Sequence, residues 1–384
     1  MMEIKVFKSV TDVEEKDWNA IVGEDQIICS HQYLKAIERS NINDCDYFYL
    51  VAYLNNEIVA HTCTYSIGFD LAIFAQGISK KIIDSIRNVF PGFLILKLFE
   101  CGTPVALGNT YSFRDDIDRK EVIIKFAAKM EEIAETQQCG LILLRDFVDE
   151  ELKLFGCLED AGYSKVENLP DTMLPIYWES FEDYLKSFKA LYRREFTKRI
   201  DMLSCEEISV QVTGEFAEYA EDFVRLWQNV YDKATEYRRE ILTVEYFRNM
   251  DICLGNRSKA VLIKKDDAVI GFGLFLIDDK TLRPLYLGID YELNEKYKIY
   301  FNIYYQAVKL GIDEKLDNVE YGITTYHNKL DLGAHLVPLY MYMKHRNRIL
   351  SPVFAKAFKL MTPKIEIAEK IHHFNEEARK RMGR

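Results

Sequence analysis

A lysine in a polar turn, with a glycine close behind it, is where this sequence most clearly offers chemistry. In Asn318 to Met343 (NVEYGITTYHNKLDLGAHLVPLYMYM) a β-rich run, Val319 to Thr324, leads into Tyr326, His327, Asn328 and Lys329. A Gly333-Ala334 step and a second apolar run, Leu336 to Met343, follow. The spacing predicts a lysine in a turn between two strands, at a sheet edge where Gly333 lets backbone come close to a ligand. Amide formation needs a neutral amine within about 3–3.5 Å of an activated carbonyl and preorganised donors for the oxyanion, each worth roughly 10²–10³ in rate. Lys329 and the amides beside it are such donors, with Tyr326 and His327 as candidates for moving the proton. Asp290, at a strand end, is a further candidate base. The competing readings are an ordinary loop for the stretch, an exposed loop residue for His327 and a turn former for Asp290.

Three other features carry weaker signals. A helix from Tyr184 to Met202 holds Lys186, Lys189, Arg193, Arg194, Lys198 and Arg199, relieved only by Glu195. Lys186 and Lys189 share a face with Arg193. That face reads either as solvated or as a phosphate-binding wall, since guanidinium presents a planar fork to phosphate oxygens. Cys101 to Gly108 is a loop whose two glycines either cradle a ligand or make a plain turn. Tyr297, Tyr300, Phe301 and Tyr304 fall on one helical face, as core or as the wall of a tunnel for an acyl chain.

The elements that must position these groups are those of a mixed α/β chain. With 384 residues, 48% of them hydrophobic, the chain is long enough for two domains. The net charge of −11 argues against a protein that coats nucleic acid. Eight cysteines, at 29, 45, 63, 101, 139, 157, 205 and 253, include no CxxC pair, so neither a zinc site nor a disulfide framework is indicated and no metal is expected. No apolar run approaches the roughly 18 residues that cross a bilayer, and MMEIKVFKSV lacks the features of a signal peptide, so a cytoplasmic location without a transmembrane segment is expected.

Two short helices, the second capped by Ser30, precede a hairpin that turns at Asn55-Asn56 between Tyr47–Tyr53 and Ile58–Ile67. Phe93 to Phe99 reads as a strand covered on both faces, Arg119 to Gln137 as a helix and Leu141 to Leu144 as a strand. After a boundary near Asn168-Asp171 the plan restarts: a long helix from Ser180 to Met202, a hairpin at Asp266-Asp267, a strand from Leu282 to Ile289 and a helix from Lys298 to Gly311. Repetition of the element order predicts two domains, 1–168 and 169–345, with the active site in the second. Residues 346–384 read as a basic helical tail, Lys344 to Arg384 holding eleven Lys or Arg against four Glu. It is either a solvated appendage or a contact for an anionic partner or membrane surface.

Ser180 to Lys186 (SFEDYLK) with Tyr192-Arg193-Arg194 resembles the entry to the second domain of Fem-type aminoacyl transferases and of the related BioF2-like and "peptidoglycan biosynthesis/recognition" acyltransferases. Asn328 to Ala334 (NKLDLGA) is similar to the lysine-glycine signature late in that domain, and Ser30 to Glu38 (SHQYLKAIE) to the N-terminal motif of the acyltransferases. The resemblance spans about residues 30 to 345 and implies tandem GNAT-like domains with one working site. It implies Lys329 beside the reacting carbonyl or donor phosphate, and Tyr192, Arg193 and Arg194 as phosphate contacts. With Tyr326, His327 and Asn328 of the same turn the expected catalytic set is Lys329, Tyr326, His327 and Asn328, and Gly333, Tyr33 and His31 join the expected substrate contacts. It implies transfer of an acyl group from acyl-CoA or an acyl-carrier thioester, with an acyl carrier protein as partner, to a small-molecule amine. Transfer from aminoacyl-tRNA and non-catalytic binding are the alternatives. The GNAT pyrophosphate motif Q/R-x-x-G-x-G/A is absent before the Lys298 helix, where Glu292 to Tyr297 (ELNEKY) stands, and Asn328 replaces the aromatic residue of the aminoacyl transferases. The N-terminal half, with Arg145-Asp146 and no lysine-glycine turn, is expected to shape a cleft rather than run a second reaction.

Overall fold

The computed structural model describes residues 2–383 apart from 71–76, 94, 205–206, 235–238, 348, 363–364, 366 and 368. Cys205 of the cysteine set, Leu94 of the expected strand, and Arg348, Lys364 and Arg384 of the basic tail lie outside the described residues. The chain forms two compact units: Met1–Asn168 with Ala234–Thr243 and Pro338–Pro363, and Leu169–Lys233 with Val244–Val337 and Lys364–Arg384.

In the first unit β1 (Glu3–Phe7), β2 (Asp46–Leu54), β3 (Glu57–Asp70) and β4 (Ile95–Cys101) are antiparallel neighbours, and the short β5 (Ser112–Phe113) pairs with β3. Asn55 and Asn56 turn the β2–β3 hairpin at φ 52° and 67°, a conformation asparagine tolerates better than most residues. β6 (Leu141–Phe147) runs parallel to β4, and β7 (Ser164–Glu167) ends the unit's first pass. The connecting helix Arg119–Thr136, capped by the Asp118 carboxylate, buries Val122, Ile123, Phe126, Ala127, Met130 and Ala134 at helical spacing against this sheet.

The second unit's sheet runs β14-β8-β13-β12-β11-β10-β9. Its strands are β8 (Asp171–Pro175), β9 (Ile208–Thr213), β10 (Ser258–Lys265), β11 (Ala268–Asp278), β12 (Thr281–Ile289), β13 (Asn318–Glu320) and β14 (His335–Val337). Helix Ile299–Asp313 lies on β11 where Gly271 and Gly273 stand, and a Cβ on Gly273 would sit 2.6 Å from the Ile303 side chain. Small residues there set how closely the helix approaches.

Several expectations are corrected. The long helix from Ser180 is two, Phe181–Ser187 and Ala190–Asp201, because Phe188 is extended and bridges Phe374 while the Lys189 amide donates to the His373 carbonyl. The apolar run from Leu336 breaks at Pro338: β14 pairs with β8, whereas β15 (Tyr340–His345) returns to the first sheet between β6 and β7. Residues 346–384 are not one appendage. Helix Ser351–Met361 belongs to the first unit, and buried Phe374, 4.3 Å from the Phe188 ring, ties the last segment into the second unit's core. β4 starts at Ile95, and Phe93 and Ile95 are exposed rather than covered.

Candidate active site

β12 and β13 run parallel but pair only at Thr281↔Asn318 and Leu282↔Val319. β13 then follows β8, and the Tyr321 amide donates to the Thr172 carbonyl (2.8 Å). From Arg283 onward β12 thus has no strand on that side among the described residues, and the sheet opens toward the carboxyl ends of two parallel strands, where α/β folds place ligands. The chain beyond β13 is strained at Thr324 and Thr325, β-branched residues with φ of 67° and 49°, whereas Gly322 at φ 77° takes its positive angle without cost.

Lys329 holds that loop in place. It sits on the short helix Tyr326–Asp331, is almost fully buried, and its Nζ donates to the carbonyls of Gly322 and Ile323, each at 2.7 Å. Asp171, at the head of β8, is also buried and accepts the Thr172 amide at 2.6 Å. The two form no direct ion pair among the described residues. Burial pulls Lys329 down to about 7, opposed by the more distant Asp171 charge, and burial together with Glu320 pushes the Asp171 carboxyl up. Arg283 is clamped at the vertex of the opening, its Nη1 on Glu320 (2.5 Å) and its Nε on Asp278 (3.0 Å).

The other expected site residues scatter. Tyr326 is buried and its hydroxyl donates to the Pro170 carbonyl (3.0 Å), His327 is exposed and Asn328 half-buried. The expected turn is therefore a helix whose buried face carries Tyr326 and Lys329. Gly333 has φ 101°, and a Cβ there would lie 2.4 Å from the Phe374 ring, so its close neighbour is core. Asp290 is no free base: its carboxylate caps helix Tyr291–Tyr297, accepting from Glu292 and Leu293. Tyr192 stacks on His373 (centroids 3.8 Å apart), Arg193 is half-buried and Arg194 exposed, and neither arginine has an ion pair among the described residues. His31 and Tyr33 are buried in the first unit, His31 with Nε2 at 2.9 and 3.1 Å from the carbonyls of Val10 and Val13.

Of the aromatic run, Tyr297 is core, whereas Tyr300, Phe301 and Tyr304 are half-buried and the Tyr304 ring lies 5.4 Å from that of Tyr321. The Gly102 loop is packed by Arg145, whose guanidinium approaches a Cβ position on Gly102 to 3.6 Å. Sequence reasoning missed Asp171, Arg283 and Glu320. The β8–β13 pairing across some 150 positions unites them with Lys329, and nothing local to Asp171 marks it. Among the described residues no cluster of His, Cys, Asp or Glu is placed to hold a metal, and no helix is long and apolar enough to cross a membrane.

A model of the FemAB-like family, described as peptidoglycan biosynthesis/recognition, matches residues 9–377. Two curated Mycobacterium tuberculosis proteins, each named "Putative 8-amino-7-oxononanoate synthase 2", are 28% identical over 330 residues. The match takes in 82% of this chain but 42% of theirs, so the chain spans less than half their length. Among solved structures the chain is similar to FemX, with a TM-score of 0.57 at 10% identity over 89% of this chain and 98% of that one. It is also similar to a tandem GNAT protein from the clavulanic acid biosynthesis pathway, with a TM-score of 0.51 at 10% identity over 90% and 99%. The architecture is two GNAT-like domains in tandem.

Proposed function

Because the chain belongs to the FemAB-like family, we propose that it is an acyltransferase, moving an acyl group from an activated thioester to an amine at the opening between β12 and β13. One observation carries the reading: a buried lysine, held near neutrality, whose Nζ grips the Gly322 and Ile323 carbonyls just past the carboxyl end of β13. With two N–H groups on the Gly322 and Ile323 carbonyls, the remaining direction on Nζ holds a lone pair when the amine is neutral. Lys329 then takes the proton the acceptor ammonium must lose before its amine attacks. The C–S bond breaks as the C–N bond forms, and the carrier leaves as a thiol with the second proton from that nitrogen. A value near 7 suits such a base at physiological pH. This role replaces oxyanion stabilisation as the lysine's task. Tyr300, Phe301, Tyr304 and Tyr321 supply an apolar wall for the acyl group.

The donor is an acyl-carrier thioester in preference to free acyl-CoA. The amides that open helix Tyr291–Tyr297 are taken by Asp290, and the Tyr300 amide by the Asn294 side chain (2.9 Å), leaving those donors committed where GNAT enzymes bind pyrophosphate. The test supplies the pure protein with labelled acyl-carrier thioester, acyl-CoA or aminoacyl-tRNA and a mixture of amines. Labelled amide from the carrier thioester is expected. Product from aminoacyl-tRNA alone would overturn the donor, and absence of product with all three would overturn catalysis.

A further inference from the structure

Sixteen large apolar residues are exposed among the described residues, and eight of them come from two segments of the first unit, 82–95 and 349–353. Scattered apolar residues need no explanation, but concentration does. The ladder shows why they converge. β3 ends at Asp70 opposite Ile95 of β4, Leu98 of β4 pairs with Leu141 of β6, and Leu141 pairs with His345 at the end of β15. Both segments therefore leave the sheet at one end, with only β6 between β4 and β15, a separation of about 10 Å. Each is pinned there. Arg87 of helix Gly77–Arg87 donates to both Asp70 oxygens (2.9 and 2.5 Å) and to the Phe93 carbonyl, and the Arg346 amide donates to the Gly140 carbonyl.

Charge selects the occupant. Residues 344–361 hold five Lys or Arg and no Asp or Glu, in a chain of net charge −11. Lys344 and Arg346 are matched by Glu131 and Glu135, but Lys356 and Lys359 are exposed on helix Ser351–Met361 without an acidic partner among the described residues. Lys81 lines a recess with Ile82, Ile86, Val89 and Phe90. A second copy of this face would oppose lysine with lysine, whereas an anionic bilayer accepts both the apolar side chains and the ammonium groups.

We propose that this end of the first unit's sheet docks on an anionic lipid surface, Val89, Phe90, Ile349 and Val353 entering the interface and Lys81, Lys356 and Lys359 meeting headgroups. The proposal is independent of the transferase reading. Flotation of the full chain with phosphatidylcholine vesicles, with and without phosphatidylglycerol, tests it. The protein is expected to float with the phosphatidylglycerol vesicles and to be released by salt. Lys356→Glu with Lys359→Glu should weaken binding tenfold or more, since each lysine near such a surface is worth about fivefold. Val89→Asp with Phe90→Asp, and separately Ile349→Asp with Val353→Asp, should abolish it, in variants shown folded by circular dichroism. Val210→Asp with Val212→Asp, on exposed positions of β9, should bind as the unaltered chain does. No flotation with anionic vesicles would overturn the proposal, as would binding indifferent to both apolar pairs, or a dimer in sedimentation equilibrium that those pairs dissociate.

Discussion

Each unit's sheet contains one parallel strand pair, and the carboxyl ends of the two pairs are treated in opposite ways. In the first, β4 and β6 stay paired over four residues, to Cys101↔Leu144, and a closed ion network follows. Buried Glu100 accepts from the Tyr65 hydroxyl (2.5 Å) and from Arg239 and pairs with Arg145, while Arg145 also pairs with Asp146 (2.5 Å) and donates to the Thr103 carbonyl. Burial alone would raise Glu100, but Arg239 and Arg145 outweigh it and hold the carboxyl below its usual range. In the second unit the strands part after two pairs, and the buried amine of Lys329 has no carboxylate at ion-pair distance among the described residues. A buried charge fixed by partners keeps one protonation state and serves structure. An amine denied its counter-ion titrates near neutrality and is equipped to exchange protons.

The sharpest way to break this contrast is at Lys329. Lys329→Met should lower kcat by about 10²–10⁴-fold and remove a rising limb of the kcat–pH profile centred near pH 7. A folded variant with unaltered turnover and profile would put Lys329 in the same structural class as Arg145. Stability supplies a second readout. The folded chain releases the Lys329 proton near 7 but the unfolded chain only near 10.5, so between these values the unfolded state holds the extra proton. The unaltered chain's stability relative to Lys329→Met should therefore rise with pH across that window in chemical denaturation, and a flat difference would contradict the depressed value. Because Lys329 is almost fully buried, Lys329→Ala should also cost about 1–3 kcal/mol for each carbonyl left unsatisfied.

Arg145→Leu tests the other side. It leaves Asp146 without its guanidinium and should destabilise by about 3–5 kcal/mol in urea titration, while kcat of the folded protein changes little. A large loss of kcat with stability intact would move the working site to the first unit. Gly333→Ala, forced to φ 101° against the Phe374 ring, should cost about 1–3 kcal/mol in thermal melts; a neutral effect would free Gly333 from that packing role. The smallest effect is expected at Arg193→Ala, a few-fold rise in KM for a phosphate-bearing donor at constant kcat. An unchanged KM would leave that helix face to solvent.

Local patterns decided much of the fold before any tertiary contact. The Asn55-Asn56 turn, the Asp118-capped helix and the helix at Ile299–Asp313 follow from backbone preference and apolar period, which neighbouring residues express on their own. Lys329 and its glycine stood out for the same reason, as residue types at a short spacing. What only the tertiary structure decided rests on partners far away in sequence. Phe374 breaks the Ser180 helix, β15 returns to the first sheet, and β8 brings Asp171 to Lys329 from 158 positions away. The lysine's chemistry belongs to this second class, because its lowered proton affinity comes from burial, and burial is a property of the assembled core that no spacing along the chain encodes.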